Sequence, residues 1–226
     1  MNQFEVPGKL HDQLNPIIWD SDHLKKPVEL ALLKIAKTYY KFLGIDARII
    51  DLVVSGSQAN YNYSPHSDLD LHLIVPYSDV ECDMEVDELF DTKRKLWKEQ
   101  HDITIYGIPV ELYVEDVDSP AVSSTYSLIK NQWIRPPKKN TADIDSREIE
   151  RLCLLWVNVI KAAIATKDLA QCQKTKKLLW AYRQVGLDKS GEMGTPNLVF
   201  KALRNSGVTD KLLHAVQRLG DLDLSI

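Results

Sequence analysis

Apolar residues recur along this chain with two different periods, and the switches between them outline its elements. From Pro27, the residues Val28, Leu32, Ile35, Ala36, Tyr39 and Leu43 fall at helical spacing until Gly44, which predicts one helix. Ala47–Val54 and Asp68–Val75 read instead as strands. Val80–Gln100 is charged but carries Val86, Leu89, Phe90, Leu96 and Trp97, which predict a second helix anchored by those five. His101–Tyr106 and Ile108–Val114 predict a hairpin turning at Gly107, and Thr125–Arg135 a strand pair turning at Asn131. Pro136–Asn140 has the composition of a linker. Three helices are predicted after it: Asp145–Ala165, Asp168–Val185 and, beyond the loop holding Gly191 and Gly194, Pro196–Leu219. The opening stretch through Leu14–Asp20 is expected to lie as an arm on the domain surface. This order predicts an α+β fold: a core over residues 1–140 with an N-terminal arm and helix, and a helical C-terminal annex over 141–226.

The polar side of the second strand is unusual. Asp68, Asp70 and His72 share one face, and Leu69, Leu71 and Leu73 the other. Such a strand can pack a core on one side and hold a cation on the other, its carboxylates roughly 6–7 Å apart at Cβ. Aspartate is depleted in strands, and like charges on one face repel unless a cation lies between them. An ordinary half-solvated strand is the alternative. Upstream, Val53-Val54-Ser55 runs into Gly56-Ser57, and the short segment Gln58–Tyr61 has the length of one helical turn. Backbone N–H groups at such a turn, with the Ser57 hydroxyl, suit an anion; a plain turn is the bland reading. A third acid, Glu111, shares a face with Tyr113 in the second hairpin arm, opposite Val110, Leu112 and Val114. It pairs with a lysine, faces solvent, or completes a carboxylate set with Asp68 and Asp70. Asp102 and Glu115 lie at strand ends.

Gly56-Ser57, a ten-residue spacer, Asp68-x-Asp70 and a later strand acid resemble the signature of the DNA polymerase β-like nucleotidyltransferase superfamily, over roughly residues 47 to 115, about a third of the chain. The resemblance implies a mixed β-sheet flanked by helices, and two Mg²⁺ ions (Mn²⁺ as a substitute) with their oxygen ligands. It also implies transfer of a nucleoside monophosphate from an NTP to an acceptor hydroxyl, with release of pyrophosphate. Carried onto this sequence, it makes Asp68, Asp70 and Glu111 both catalytic and metal-holding. Glu111 would also help deprotonate the acceptor. Gly56 and Ser57 would grip the triphosphate. In the family a basic residue of the helical region often closes over the β- and γ-phosphates, a role open to Lys174 and Lys177; a solvated helix face is the alternative. One departure is that no arginine or lysine lies between Ser57 and Asp68, which counts against the subgroup that makes messenger oligonucleotides. ATP is the default NTP. The acceptor, whether an RNA 3′ end, a protein or a small metabolite, is not legible in the sequence, nor is the oligomeric state. The competing reading is a non-catalytic nucleotide-binding or regulatory protein on the same fold. The full set of Ser57, Asp68, Asp70 and Glu111 favours catalysis, because mutually repelling carboxylates are costly to keep without a metal.

Composition narrows the remaining classes. The chain has 226 residues, 44% hydrophobic and 27% charged, which is enough for a full core and ordinary for a globular protein. A formal net charge of −4 argues against wholesale duplex binding without excluding a local basic groove. Cys82, Cys153 and Cys172 are odd in number and lack Cys-x-x-Cys spacing, so they read as reduced structural thiols. No signal-peptide pattern opens the chain, and Leu152–Ala165 is interrupted by Asn158 and Lys161, so a cytoplasmic protein with no membrane span is expected. The six histidines show no zinc spacing, and His72 reads as a polar resident of its strand rather than a base. Arg135, Lys138 and Lys139 with Trp133 make either a basic linker or a single-strand nucleic-acid groove.

Overall fold

Leu69, Leu71, Leu73 and Val75 are wholly buried, while Asp70, His72 and Ile74 between them are half-buried. One strand therefore carries an apolar and a polar face, as its period of two requires. The computed structural model of the protein describes residues 4, 10–82, 84–120, 123–139 and 144–225. The chain divides into two compact units, Leu10–Lys139 and a helical unit over Asn140–Ile226 in whose core Phe4 is also buried.

The first unit opens with a two-stranded ribbon, β1 (Trp19–Asp20) and β2 (His23–Leu24), followed by helix α1 (Lys26–Leu43). Pro27 sits in the first turn of α1, where its missing N–H costs nothing, and Gly44 ends it in the left-handed conformation. Strand β3 (Asp51–Ser55), strand β4 (Leu69–Val75), helix α2 (Val86–Gln100), strands β5 (Thr104–Ile105), β6 (Ile108–Asp116), β7 (Thr125–Ser127) and β8 (Gln132–Arg135) follow. They form a six-stranded sheet in the order β5-β6-β4-β3-β7-β8. Only β4 and β6 run parallel, joined across α2, so the sheet is mixed. Its leucine face packs in one core with Val28, Leu32, Ala36, Tyr39 and Leu43 of α1 and Phe90 and Trp97 of α2. Burial of each such leucine stabilises the unit by roughly 1.5–3 kcal/mol. The opposite face carries Ser55, Asp70, His72, Glu111 and Tyr113, with Val53 and Ile74 among them.

Several boundaries differ from the sequence expectation. The arm does not lie on the surface: Leu14, Ile18 and Trp19 are buried, because the Trp19 indole donates to the Gln58 carbonyl at 2.7 Å and stacks on Trp133. Ala47–Ile50 is not strand; the ladder starts at Asp51, opposite Ile74 of β4, and β7 joins on the other side at Val53. Helix α2 starts at Val86 rather than Val80. Val80 packs on the core from a loop, after a short turn pinned by the Tyr77 hydroxyl donating to Val114 O at 3.1 Å. Leu96 is exposed, since its neighbour Trp97 takes the inward direction, edge-on to Tyr39 and Phe42. The hairpin turns at Tyr106 and Gly107, both at positive φ (51° and 80°), which matches the twist of the flanking strands.

The helical unit contains α3 (Ser146–Ala165), α4 (Leu169–Ser190), α5 (Thr195–Asn205) and α6 (Val208–Leu224). The single helix expected over Pro196–Leu219 is thus two, split where Gly207 adopts a φ of 71°. Helix α4 runs past Val185 because Gly186 serves packing: a Cβ there would meet Pro196 at 2.5 Å. Cys153 and Cys172 are buried in this core, and burial pushes the Cys153 thiol up to about 11, which suits an inert structural thiol. Among the described residues, no helix is long and apolar enough to cross a membrane.

Candidate functional site

Strand β3 ends at Ser55, and the chain leaves it through Gly56 at φ 74° and ψ −159°. Only glycine fits here. A Cβ on Gly56 would lie 2.1 Å from Asp70 Oδ2, and its backbone conformation strains any L side chain. The Gly-Ser turn is therefore pressed against the second aspartate of the Asp-x-Asp pair. Ser57–Ala59 forms a short 3₁₀ turn. The spacer is anchored by the buried Gln58, whose side-chain nitrogen donates to Ser67 O at 3.0 Å and whose oxygen accepts from Asn15 at 2.9 Å. Asp68 lies one residue before β4 and is half-buried.

Strand register gathers the rest. Ser55 faces Asp70 across the β3–β4 ladder, and Asp70 faces Glu111 across the parallel β4–β6 ladder. Residues directly opposite share a face, so Ser55, Asp70 and Glu111 form one row, with His72 beside Tyr113 in the next. Glu111 is already engaged: Lys98 of α2 donates to one carboxylate oxygen and the Tyr113 hydroxyl to the other at 2.7 Å. The lysine partner that the sequence left open for Glu111 is Lys98. Burial pushes the Glu111 carboxyl up, but hydrogen bonds from Lys98 and Tyr113, with the charges of Lys98 and Arg94, hold it below its ordinary range. Burial, and then the negative charges of Asp70 and Glu111, push the Tyr113 phenol far up, so it stays a donor. The Arg94 guanidinium lies over the Tyr113 ring at 5.0 Å. Sequence reasoning missed Arg94 and Lys98, although their spacing of four on one helix was a usable signal.

A pH dependence follows from Glu111. Its folded value lies below its unfolded one, so its contribution to stability is full above the ordinary carboxylate range near pH 4 to 5. That contribution is lost as pH falls through the lower folded value. Thermal melts across this range are expected to fall less steeply with acid for Glu111→Gln than for the wild type; equal slopes would show that the Lys98 contact contributes no pH-dependent stability.

The three carboxylates have the hard-oxygen chemistry of a Mg²⁺ site, and the missing side chain of Gly56 lets the Asp70 carboxylate lie against the Gly-Ser turn. Asp68, Asp70 and Glu111 carry the oxygens such an ion takes, Glu111 once its carboxylate exchanges Lys98. As the side chains stand, among the described residues no group of three His, Cys, Asp or Glu is gathered to hold a metal ion. Lys174 and Lys177 belong to the helical unit, both exposed on α4. Trp133 is not available as a stacking platform: it stacks on Trp19 at 4.9 Å and donates to Asp22 O at 2.8 Å. Lys139 lies over Tyr61 at 5.2 Å. Comparison with protein-family models, curated proteins and solved structures finds no match.

Proposed function

We propose that the unit Leu10–Lys139 is the catalytic core of a metal-dependent nucleotidyltransferase, moving a nucleoside monophosphate from an NTP to an acceptor hydroxyl. The observation that carries this is the approach of Gly56 to Asp70, which joins the Gly-Ser turn and the Asp-x-Asp strand at one point, in register with Glu111. A mixed sheet with helices on its leucine face is compatible with the nucleotidyltransferase fold. A divalent cation held by Asp68, Asp70 and Glu111 would supply charge neutralisation for the triphosphate. The chain's own residues do the rest. Gly56, having no side chain, lets its turn lie against Asp70, so that its backbone N–H groups can face a phosphate beside the carboxylates. The Ser57 hydroxyl donates to a phosphate oxygen. Glu111, released from Lys98, takes the acceptor's proton while the acceptor oxygen attacks the α-phosphorus and pyrophosphate departs. Positioning and charge stabilisation account for most of the expected rate enhancement.

Incubation with each α-labelled NTP, Mg²⁺ or Mn²⁺, and RNA or lysate tests the proposal: a labelled acceptor and stoichiometric pyrophosphate are expected. Binding of nucleotide without pyrophosphate release, on every acceptor, would replace the enzyme with a non-catalytic nucleotide-binding protein. The Lys98–Glu111 pair favours that second reading, since a lysine already neutralises the third carboxylate.

Gly56→Ala offers an independent check. Asp70 must rotate away from the new methyl, and the positive-φ extended backbone, which is essentially glycine-only, adds roughly 1–3 kcal/mol of strain. Stability in urea is expected to fall by about that amount, whereas nucleotide-dependent stabilisation should disappear. Retention of full nucleotide binding would place the phosphate elsewhere.

A further inference from the structure

A second constellation lies on the same polar sheet face and is not used by nucleotidyl transfer. Ser55 Oγ lies 2.8 Å from His72 Nε2, and His72 Nδ1 lies 2.8 Å from Glu115 Oε1. These residues come from the neighbouring strands β3, β4 and β6. The hydrogen bond from His72, ahead of opposing burial, holds the Glu115 carboxyl below its ordinary range. Glu115 is then a carboxylate and can only accept, so Nδ1 carries the ring proton. Nε2 is left to accept from the Ser55 hydroxyl. The Tyr113 ring stacks on His72 with centroids 4.8 Å apart and planes 18° from parallel, which fixes the imidazole plane. The His72 side chain is only 12% exposed, while Ser55 is half-buried at the strand end where the chain turns away at Gly56. A nucleophile at a strand end, a base within hydrogen-bond reach and a carboxylate orienting that base are the parts needed to activate a serine.

We propose that Ser55 is a nucleophilic serine that accepts the acyl group of small activated esters, with His72 as its base and Glu115 as the positioning residue. The Ser55 oxygen attacks the ester carbonyl carbon as its proton passes to His72 Nε2. The bond from that carbon to the leaving oxygen breaks, and His72 returns the proton to the leaving group. Water then attacks the acyl-serine by the same route, giving the carboxylic acid and restoring Ser55. Activated esters are the class the surroundings suit. The Asp70 carboxylate opposite Ser55 in the ladder opposes negative charge on the tetrahedral oxygen, so the leaving group must depart readily.

The test uses the full chain with p-nitrophenyl acetate, read by p-nitrophenolate release and by peptide mass spectrometry. One acetyl group on Ser55, trapped by acid quench during the initial burst before water removes it, is expected in the wild type and none at that position in Ser55→Ala. Ser55→Cys, which keeps a nucleophile at that position, should be acetylated at sulfur; it decides the matter should the alanine variant fold poorly. Glu115→Gln should slow acylation by roughly 10²–10⁴-fold at unchanged KM, and Glu115→Asp should recover part of the loss. A purely structural tie between the strands would lower thermal stability in these variants without any acetyl-Ser55 in the wild type. Absence of acetyl-Ser55, or acetylation confined to lysines, overturns the proposal.

Discussion

Asp70→Asn is expected to lose nucleotidyl transfer by at least about a thousandfold, roughly 4 kcal/mol of transition-state stabilisation, while leaving the fold intact. Asparagine keeps the shape of the side chain, so the tight approach to Gly56 survives and the change is one of charge. What is lost is an anionic oxygen at the point where β3, β4 and β6 meet. A neutral amide oxygen is a poor ligand for a hard divalent cation, and the triphosphate would face less neutralised charge. The fold has little reason to suffer. Asp70 and Glu111 are like charges directly opposite one another, and removing one relieves repulsion that Lys98 offsets only in part. Thermal melts should therefore show Asp70→Asn as stable as the wild type or more so without ligand, but with no added stabilisation from NTP and Mg²⁺. Transfer at the wild-type rate by this variant would remove Asp70 from the site.

Trp19→Ala is expected to destabilise the first unit by about 3–5 kcal/mol, a large share of the 5–15 kcal/mol that holds a typical domain folded. Trp19 is 2% exposed, stacks on Trp133 at 4.9 Å and meets Tyr126 edge-on at 5.2 Å. Truncation leaves a cavity and removes the donor to Gln58 O. Gln58 is the residue that ties the spacer to Ser67, so the loss should also reach the segment between Gly56 and Asp68. Trp19→Phe separates the two effects. It keeps an aromatic ring in the core but loses the indole N–H and part of the ring volume, so a smaller stability loss of roughly 1–3 kcal/mol is expected. Hydrogen exchange across 56–68 should rise in the alanine variant. Urea unfolding measures the first quantity; a loss below about 1 kcal/mol in Trp19→Ala would mean the arm does not belong to the core.

The sequence by itself determined whatever depends on near neighbours in the chain. The period of two in Leu69–Val75 set which residues share a face, and it put the leucines inward because burial of four apolar side chains outweighs any other arrangement. Pro27 and Gly44 bounded α1, and Gly107 turned a hairpin, because those residues carry their stereochemistry wherever they stand. The candidate carboxylates were legible for the same reason: an acid amid strand-forming residues is costly enough to be noticed. Tertiary structure alone decided their company. Whether Glu111 met a cation, another acid or solvent depended on which strand and helix came beside β6, and the answer was Asp70 across the ladder and Lys98 from α2. His72 became the middle of a relay only because β3 and β6 flank β4, bringing Ser55 and Glu115 to its two nitrogens. The arm went inward because the pairing of Trp19 with Gln58 and Trp133 spans 39 and 114 residues, a reach no local periodicity contains. Glycine itself was ambiguous until packing was known. Gly186 continues a helix because Pro196 presses against it, while Gly207 ends one through a left-handed φ; the two residues look alike in the sequence and differ in what surrounds them.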